Sequence, residues 1–201
     1  MTTQLTTSKG PVVIEGPVSA NYVESLDIVK SLNNFRNAKR QKEALGYIAE
    51  LPDGMVYIAR HDKDIIGYVL FHYPNQYSRW VKHPRILELG AIEISIEWQR
   101  RGLAKAILAE AFKNPALEDY IIITTEFYWH WDIKNSGLDV WGYQSMLKNV
   151  FGSVGFKRRR TDDPEILEHQ ANMLMVRIGN NVNPNHAKMF DDLTYQQSII
   201  I

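Results

Sequence analysis

The sequence predicts a mixed α/β (α+β) fold, one central sheet flanked by helices, and two observations carry that reading. The first is the order of patterned segments: a helical region, a β-hairpin, a strand–helix–strand unit, a helix and a second hairpin. The second is "ILELGAIEI" at Ile86–Ile94, apolar on both faces apart from one carboxylate on each, the pattern of a covered central strand.

Taken in order, residues 1–10 read as a loose tail and "PVVIEGP" as a short edge strand between prolines. Residues 19–51 read as helical, closing at the turn "PDG". "MVYIAR" and "IIGYVLFHY" form a hairpin around "HDKD", and "PNQYSRWVKHP" is a polar loop. After the Ile86–Ile94 strand, "RGLAKAILAEAF" is a helix stopped by Asn114 and Pro115. "YIIITTEF" is a strand, "LDVWGYQSMLKNVF" a helix, "VGFKRR" and "ANMLMVRIG" two further strands, and the tail from Pro184 holds one short helix. The organisation that follows is a tail and edge strand at 1–18, one domain at 19–180 and a C-terminal extension at 181–201.

Composition narrows the function. With 201 residues, 45% hydrophobic and 23% charged, the chain can build a sizeable core. Twenty-three basic side chains balance twenty-three acidic ones, so no net field holds a polyanion and nucleic acid is not expected as a partner. The absence of cysteine excludes disulfides, thiolate nucleophiles and cysteine-based zinc sites, and agrees with a cytoplasmic setting. The N-terminus has no signal-peptide core, and no stretch approaches the roughly 20 apolar residues of a membrane span. Six histidines lie scattered without the spacing of a metal site, so no metal is expected.

Two places carry candidate chemistry. On the Ile86–Ile94 strand, side chains alternate: Ile86, Glu88, Gly90, Ile92 and Ile94 share one face, Leu87, Leu89, Ala91 and Glu93 the other. Glu88 and Glu93 are therefore expected in poorly solvated places, where burial raises a carboxyl pKa toward the range of a general base. The alternative is that each glutamate pairs with an arginine or sits at a strand end. The second place is "WQRRGLAKAILAEAF", which sets Arg100 and Arg101 at a helix start, where a cation is unfavourable. Gly102 and Ala104 permit close backbone approach, and the free N–H groups there suit a phosphate. A diphosphate bound at that turn, or a plain glycine turn with two solvated arginines, both explain the pattern.

The combination "IEISIEWQRRGLAKAIL" resembles motif A of the GNAT superfamily of N-acetyltransferases, and 19–180 then reads as the GNAT domain. The resemblance implies that Gln99, Arg100, Arg101, Gly102, Leu103 and Ala104 bind the pyrophosphate of the cosubstrate acetyl-CoA, with the backbone around Ile92 and Ile94 beside the pantetheine arm. It implies a backbone N–H near Ile94 for the oxyanion, Glu88 as base and Glu93 in reserve. Many members carry a tyrosine acid four residues before a Gly-Phe pair. Here "FGSVGF" puts Phe151 at that position, and Tyr143, Tyr128 or a water is left to take the part. "VIEGPVS", "LELGAIE", "EDYIIITTEFYWHWD" and "DVWGY" resemble the acetoin-utilisation acetyltransferases, which implies a protein-lysine acceptor on acetyl-CoA synthetase and a direct transfer without a covalent enzyme intermediate. A GNAT enzyme acting on a small amine, and a non-catalytic acyl-CoA sensor, are the alternatives.

"EFYWHWD" gathers Phe127, Tyr128, Trp129 and Trp131 around His130; with Trp141 it holds three of the five tryptophans. These aromatics serve either recognition, with Glu126 and Asp132 attracting a cationic lysine, or closure of the core. His130 reads as a packed, hydrogen-bonded histidine rather than a proton relay. The run Lys157–Arg160 reads as a solvated face, with contact to the coenzyme's 3′-phosphate or to an acidic partner as the alternative.

Overall fold

Residue 2 already belongs to a strand. In the computed structural model, which describes residues 2–196, the segment expected as a loose tail forms β1 (Thr2–Thr7), hairpin-paired to β2 (Gly10–Glu15). Four of its six residues are threonine, and Thr3 donates to Glu110 at 2.6 Å and accepts from Lys113 at 3.0 Å, so β-branched side chains and long-range bonds order what composition alone leaves loose. Met1 and 197–201, the end of the expected extension, lie outside the described residues.

The helical region at 19–51 is two helices with a break. Ser19 caps α1 (Ala20–Ser25), Asn37 caps α2 (Ala38–Glu50), and between them β3 (Asp27–Ile28) pairs parallel with Asp64 and Ile65. The expected hairpin is β4 (Met55–His61) and β5 (Asp64–His72), antiparallel, with an irregularity at Ala59/Arg60. Next come β6 (Ile86–Ile94), α3 (Leu103–Ala111) and β7 (Ile121–Glu126), and β6 pairs parallel with β7, as a strand–helix–strand unit requires. Four short helices and two strands complete the chain: α4 (Ile133–Ser136), α5 (Val140–Gly152), β8 (Lys157–Arg159), α6 (Pro164–Leu167), β9 (Met173–Ile178) and α7 (Pro184–Thr194).

Two compact units emerge: Met1–His72 with Leu89–Asn114, and Tyr73–Glu88 with Pro115–Ile201. In the first, β1, β2, β4 and β5 form an antiparallel run, and Val23, Leu45, Ile58, Tyr68 and Leu70 pack between it and the two N-terminal helices. In the second, the first three residues of β6 pair with β7, β7 with β9 and β9 with β8. One face of that sheet buries Ile86, Ile121, Ile123, Leu174 and Val176 under Trp80, Phe190 and Leu193. Trp80 belongs to a 3-10 turn, Arg79–Lys82, inside the stretch expected as a plain polar loop, and stacks on Phe190 of α7 at 5.6 Å. α7, in the expected extension, thus supplies core to this unit.

The strand β6 passes from one unit to the other between Glu88 and Leu89. It is therefore the element that carries both candidate sites.

Candidate functional site

Glu88 lies on the same face of β6 as Ile86 and opposite Ile123 of β7. Where Ile86 and Ile123 are sealed in the core, Glu88 is half-buried and opens into a cavity of about 740 Å³. Thr125 of β7, Ser78 and Lys82 of the 3-10 segment, and Asp163 and Glu165 at the start of α6 line the same cavity. Burial, with no charged partner offsetting it, pushes the Glu88 carboxyl from 4.5 up to about 7. At neutral pH this group is divided between its acid and its base form, as a proton-transfer residue needs to be.

Glu93, five residues on, has the opposite surroundings. It is buried in the other unit and accepts from the Tyr68 hydroxyl at 2.7 Å and from the Asn34 backbone N–H at 2.9 Å. Burial and the adjacent Glu93 carboxylate raise the Tyr68 hydroxyl pKa. Both glutamates are thus poorly solvated, as expected, but each Glu93 oxygen already holds a structural bond. Glu93 also fixes the loop that leads into α2, as does Glu97, which accepts from Ser31 at 2.6 Å.

The turn between β6 and α3 is shaped by backbone rather than by side-chain caps. Gly102, at φ +77°, is the N-cap of α3 and gives no side-chain hydrogen bond to the helix start. A Cβ added to it would meet no atom within 4 Å, so the glycine faces open space. Arg100 is also left-handed, at φ +61°, so two of the three residues from Arg100 to Gly102 take the positive φ found in anion-binding turns. Gln99 braces the turn by donating from Nε2 to the Ile94 carbonyl at 3.1 Å, and Arg101 donates from Nη1 to the Gln99 carbonyl at 2.9 Å. The Arg101 Nε is buried with no hydrogen-bond partner among the described residues. Ile92 and Ile94 are half-buried at this end of β6, and Leu103 is buried and Ala104 half-buried in the first turn of α3. Gly67 of β5 allows the close approach: a Cβ there would stand 2.5 Å from Ile94 Cδ1 and 3.1 Å from the Glu93 carbonyl. An orphaned buried N–H and an open, uncapped helix start fit a diphosphate.

The remaining candidates fall in the second unit. Phe151 is fully buried against Phe156, at 5.7 Å, and has no proton to exchange. Tyr143 on α5 is half-buried and stacks on Trp131 at 5.3 Å. The aromatic block divides between its two readings: Trp131 closes the core, whereas Tyr128, Trp129 and Trp141 are exposed. Glu126 accepts from Thr124 at 2.8 Å and from the Trp131 indole at 3.2 Å, so it holds the block together, and burial raises its pKa. His130, expected to be packed, is exposed, with its ring edge-on to Phe127 and Trp129; a strand end followed by a 3-10 turn turns it outward. Lys157–Arg160 is exposed, its first three residues forming edge strand β8, where charge discourages further strand pairing.

Sequence reasoning missed two parts of this picture. Of the cavity wall, residues 75–82 read as a polar loop and residues 163–165 carry no assigned element; Trp80, an apolar anchor amid polar residues, is its one signal. The left-handed Arg100 had none, since arginine does not favour that conformation. No group of three or more potential metal ligands occurs among the described residues, and no helix among them is long and apolar enough to cross a membrane.

Residues 26–136 match the Acetyltransferase (GNAT) family. The acetoin utilization protein AcuA of Bacillus licheniformis is 42% identical, covering 96% of this chain and 92% of its own, and that of Bacillus subtilis is 39% identical, covering 94% and 91%. The crystal structure of an acetoin utilization protein from Exiguobacterium sibiricum is 43% identical, covers 100% of this chain and 96% of its own, and superposes with a TM-score of 0.97.

Proposed function

The chain belongs to the GNAT acetyltransferase family, together with the AcuA proteins, and from that premise we propose that it transfers acetyl from acetyl-CoA to a protein lysine, with Glu88 as base. The family makes the chain an acetyl-CoA-dependent N-acetyltransferase of acetoin utilization; the acceptor and the residue roles are this proposal. The observation that carries it is the Glu88 carboxyl, held near 7 in a cavity large enough for a side chain to enter.

Acetyl-CoA supplies the activated acetyl group as a thioester. The backbone N–H groups at Gly102, Leu103 and Ala104 hold its diphosphate, with Gln99 fixing the turn and Arg100 and Arg101 adding positive charge. The edge of β6 at Ile92 and Ile94 orients the pantetheine arm. Glu88 then takes a proton from the acceptor ammonium. An ordinary lysine has a pKa of about 10.4, so lifting the carboxylate from 4.5 to about 7 removes about 3 kcal/mol from that uphill transfer. The neutral amine attacks the thioester carbonyl, and a backbone N–H near Ile94 steadies the oxyanion. Tyr143 is the proposed proton donor to the departing thiolate, because Phe151 is sealed in the core. Glu93 holds the strand and the loop before α2 in place and leaves the proton chemistry to Glu88.

We assign acetyl-CoA synthetase as the acceptor protein, in the cytoplasm, as the resemblance of "EDYIIITTEFYWHWD" and "DVWGY" to the acetoin-utilisation acetyltransferases implies. Incubation with acetyl-CoA and purified synthetase, followed by peptide mass spectrometry, should find one acetylated synthetase lysine, and none with Glu88→Gln. A small-amine acceptor is favoured by one feature, the cavity of about 740 Å³, which would enclose a whole small molecule. Turnover with free diamines but not with the synthetase would establish that reading instead.

A further inference from the structure

We infer that the surface beside the Glu88 cavity, from α6 across Tyr128 to Trp141, is a docking platform for a basic, lysine-bearing protein segment. This rests on the protein-lysine reading above and says which lysines are chosen.

Large aromatic and aliphatic side chains are exposed together there: Tyr128 at 37%, Trp129 at 46%, Trp141 at 50% and Leu167 at 66%. Exposed apolar groups in such number mark interaction surfaces, and tryptophan and tyrosine dominate binding hot spots. They form an ordered arrangement around His169, with the Tyr128 ring 4.1 Å from the imidazole and the Trp141 ring stacked on it at 6.3 Å. Ordered aromatics lose little entropy on binding.

The platform is continuous with the cavity. Asp163, Pro164 and Glu165 line the cavity and begin α6; Leu167, Glu168 and His169 follow at its far end. The buried Asn172 side chain ties the two parts, accepting from the Tyr128 N–H at 3.0 Å and donating to the Glu165 carbonyl at 3.0 Å. A chain whose lysine enters toward Glu88 therefore has its neighbouring residues over these aromatics.

Charge sets the kind of chain. Residues 127–141 and 163–170 hold five carboxylates, Asp132, Asp139, Asp163, Glu165 and Glu168, against one basic side chain, Lys134, with His130 and His169 counted neutral. Asp132, Asp139 and Asp163 cap helices, and Asp163 also faces Arg79 at 3.4 Å. Glu165 and Glu168 are exposed and enter no ion pair among the described residues. Arg79 and Lys82 on the cavity wall and Arg158 at the border, which donates to the Gln170 and Asn172 carbonyls, offset much of that charge, and Glu165 and Glu168 stay the carboxylates that face solvent without an ion pair among the described residues. A cationic segment meets attraction here, and an acidic one meets repulsion.

The test uses two nine-residue peptides with blocked ends and one central lysine, flanked on each side by two arginines or by two glutamates. With the intact protein and acetyl-CoA, the arginine peptide should show at least tenfold higher kcat/KM, through KM, and the advantage should shrink as salt rises. Trp141→Ala and Glu168→Gln should each raise KM for the arginine peptide while leaving kcat and coenzyme affinity unchanged. Equal kcat/KM for the two peptides, or a preference that survives both variants, overturns the platform and leaves the lysine reading standing. Acetylation of small diamines with neither peptide modified overturns both.

Discussion

One strand carries two glutamates with opposite fates. Glu88 and Glu93 lie on β6 five positions apart, on opposite faces, and both are withdrawn from bulk water. Glu93 is met by two donors, the Tyr68 hydroxyl and the Asn34 N–H, and becomes part of the scaffold. Glu88 is met by a cavity and by no charged partner, and its proton affinity rises instead. Burial alone therefore does not tell a carboxylate held in the scaffold from one whose proton affinity is raised. What separates them is whether the desolvated oxygens are given partners.

The comparison makes Glu88 destabilising. Its folded-state pKa, about 7, lies above the unfolded value of 4.5, so the folded chain keeps a proton that the unfolded chain has released between those values. Stability falls as pH rises through that window, and the cost is complete above pH 7.

The sharpest way to break the contrast is to remove each ionisable group in turn. Glu88→Gln is expected to lower kcat/KM by about 10²–10⁴-fold, the usual contribution of a general base, with coenzyme affinity unchanged by calorimetry. The wild-type kcat/KM should rise with pH through about 7 as Glu88 ionises, and that limb should vanish in the variant. The same variant should be more stable than wild type at pH 8, by roughly 1–3 kcal/mol, and equal to it at pH 4. A loss of stability at pH 8 would contradict the burial argument.

Gly102→Val tests the other end of the strand. A β-branched residue at φ +77° is strained by about 1–3 kcal/mol and fills the open space at the helix start, so coenzyme A should bind about tenfold or more weakly. Unchanged affinity would remove the diphosphate from this turn. Tyr143→Phe is expected to cost about tenfold in kcat or less, because a thiol of pKa about 8.5 leaves readily even without an acid. No change would return the leaving-group proton to water. Glu93→Gln should have the smallest effect on chemistry, with kcat/KM within about threefold, while stability falls by about 1–3 kcal/mol because the amide keeps one acceptor oxygen where the carboxylate offered two to the Asn34 N–H and the buried Tyr68 hydroxyl. A large kcat effect with wild-type stability would make Glu93 the base.

Several parts of this arrangement were legible from local pattern. The two-faced apolar run at Ile86–Ile94 marked the central strand, and its period put Glu88 and Glu93 on opposite faces. "QRRGLA" marked a turn where backbone amides are free, and Phe151 was correctly read as unable to act as an acid. The hairpin at residues 1–15 was not legible, because Thr2–Thr7 acquires its order from β2 and from Glu110, more than a hundred positions away. The exposure of His130, the tethering of Glu126 by Trp131 and the left-handed Arg100 were equally hidden, since each depends on neighbours the local sequence does not specify.

By itself, then, the sequence determined this protein's periodicities, its glycine turn and the positions of the two strand glutamates. These follow from residue type and spacing, which act over a few positions. Only the tertiary structure decided which glutamate is held by two donors and which opens into a cavity with a raised pKa. It also decided that residues 75–82 and 163–165 wall the Glu88 cavity, and that Tyr128, Trp129 and Trp141 face solvent. The reason is that solvation and proton affinity are properties of a place, and segments far apart in the chain assemble that place.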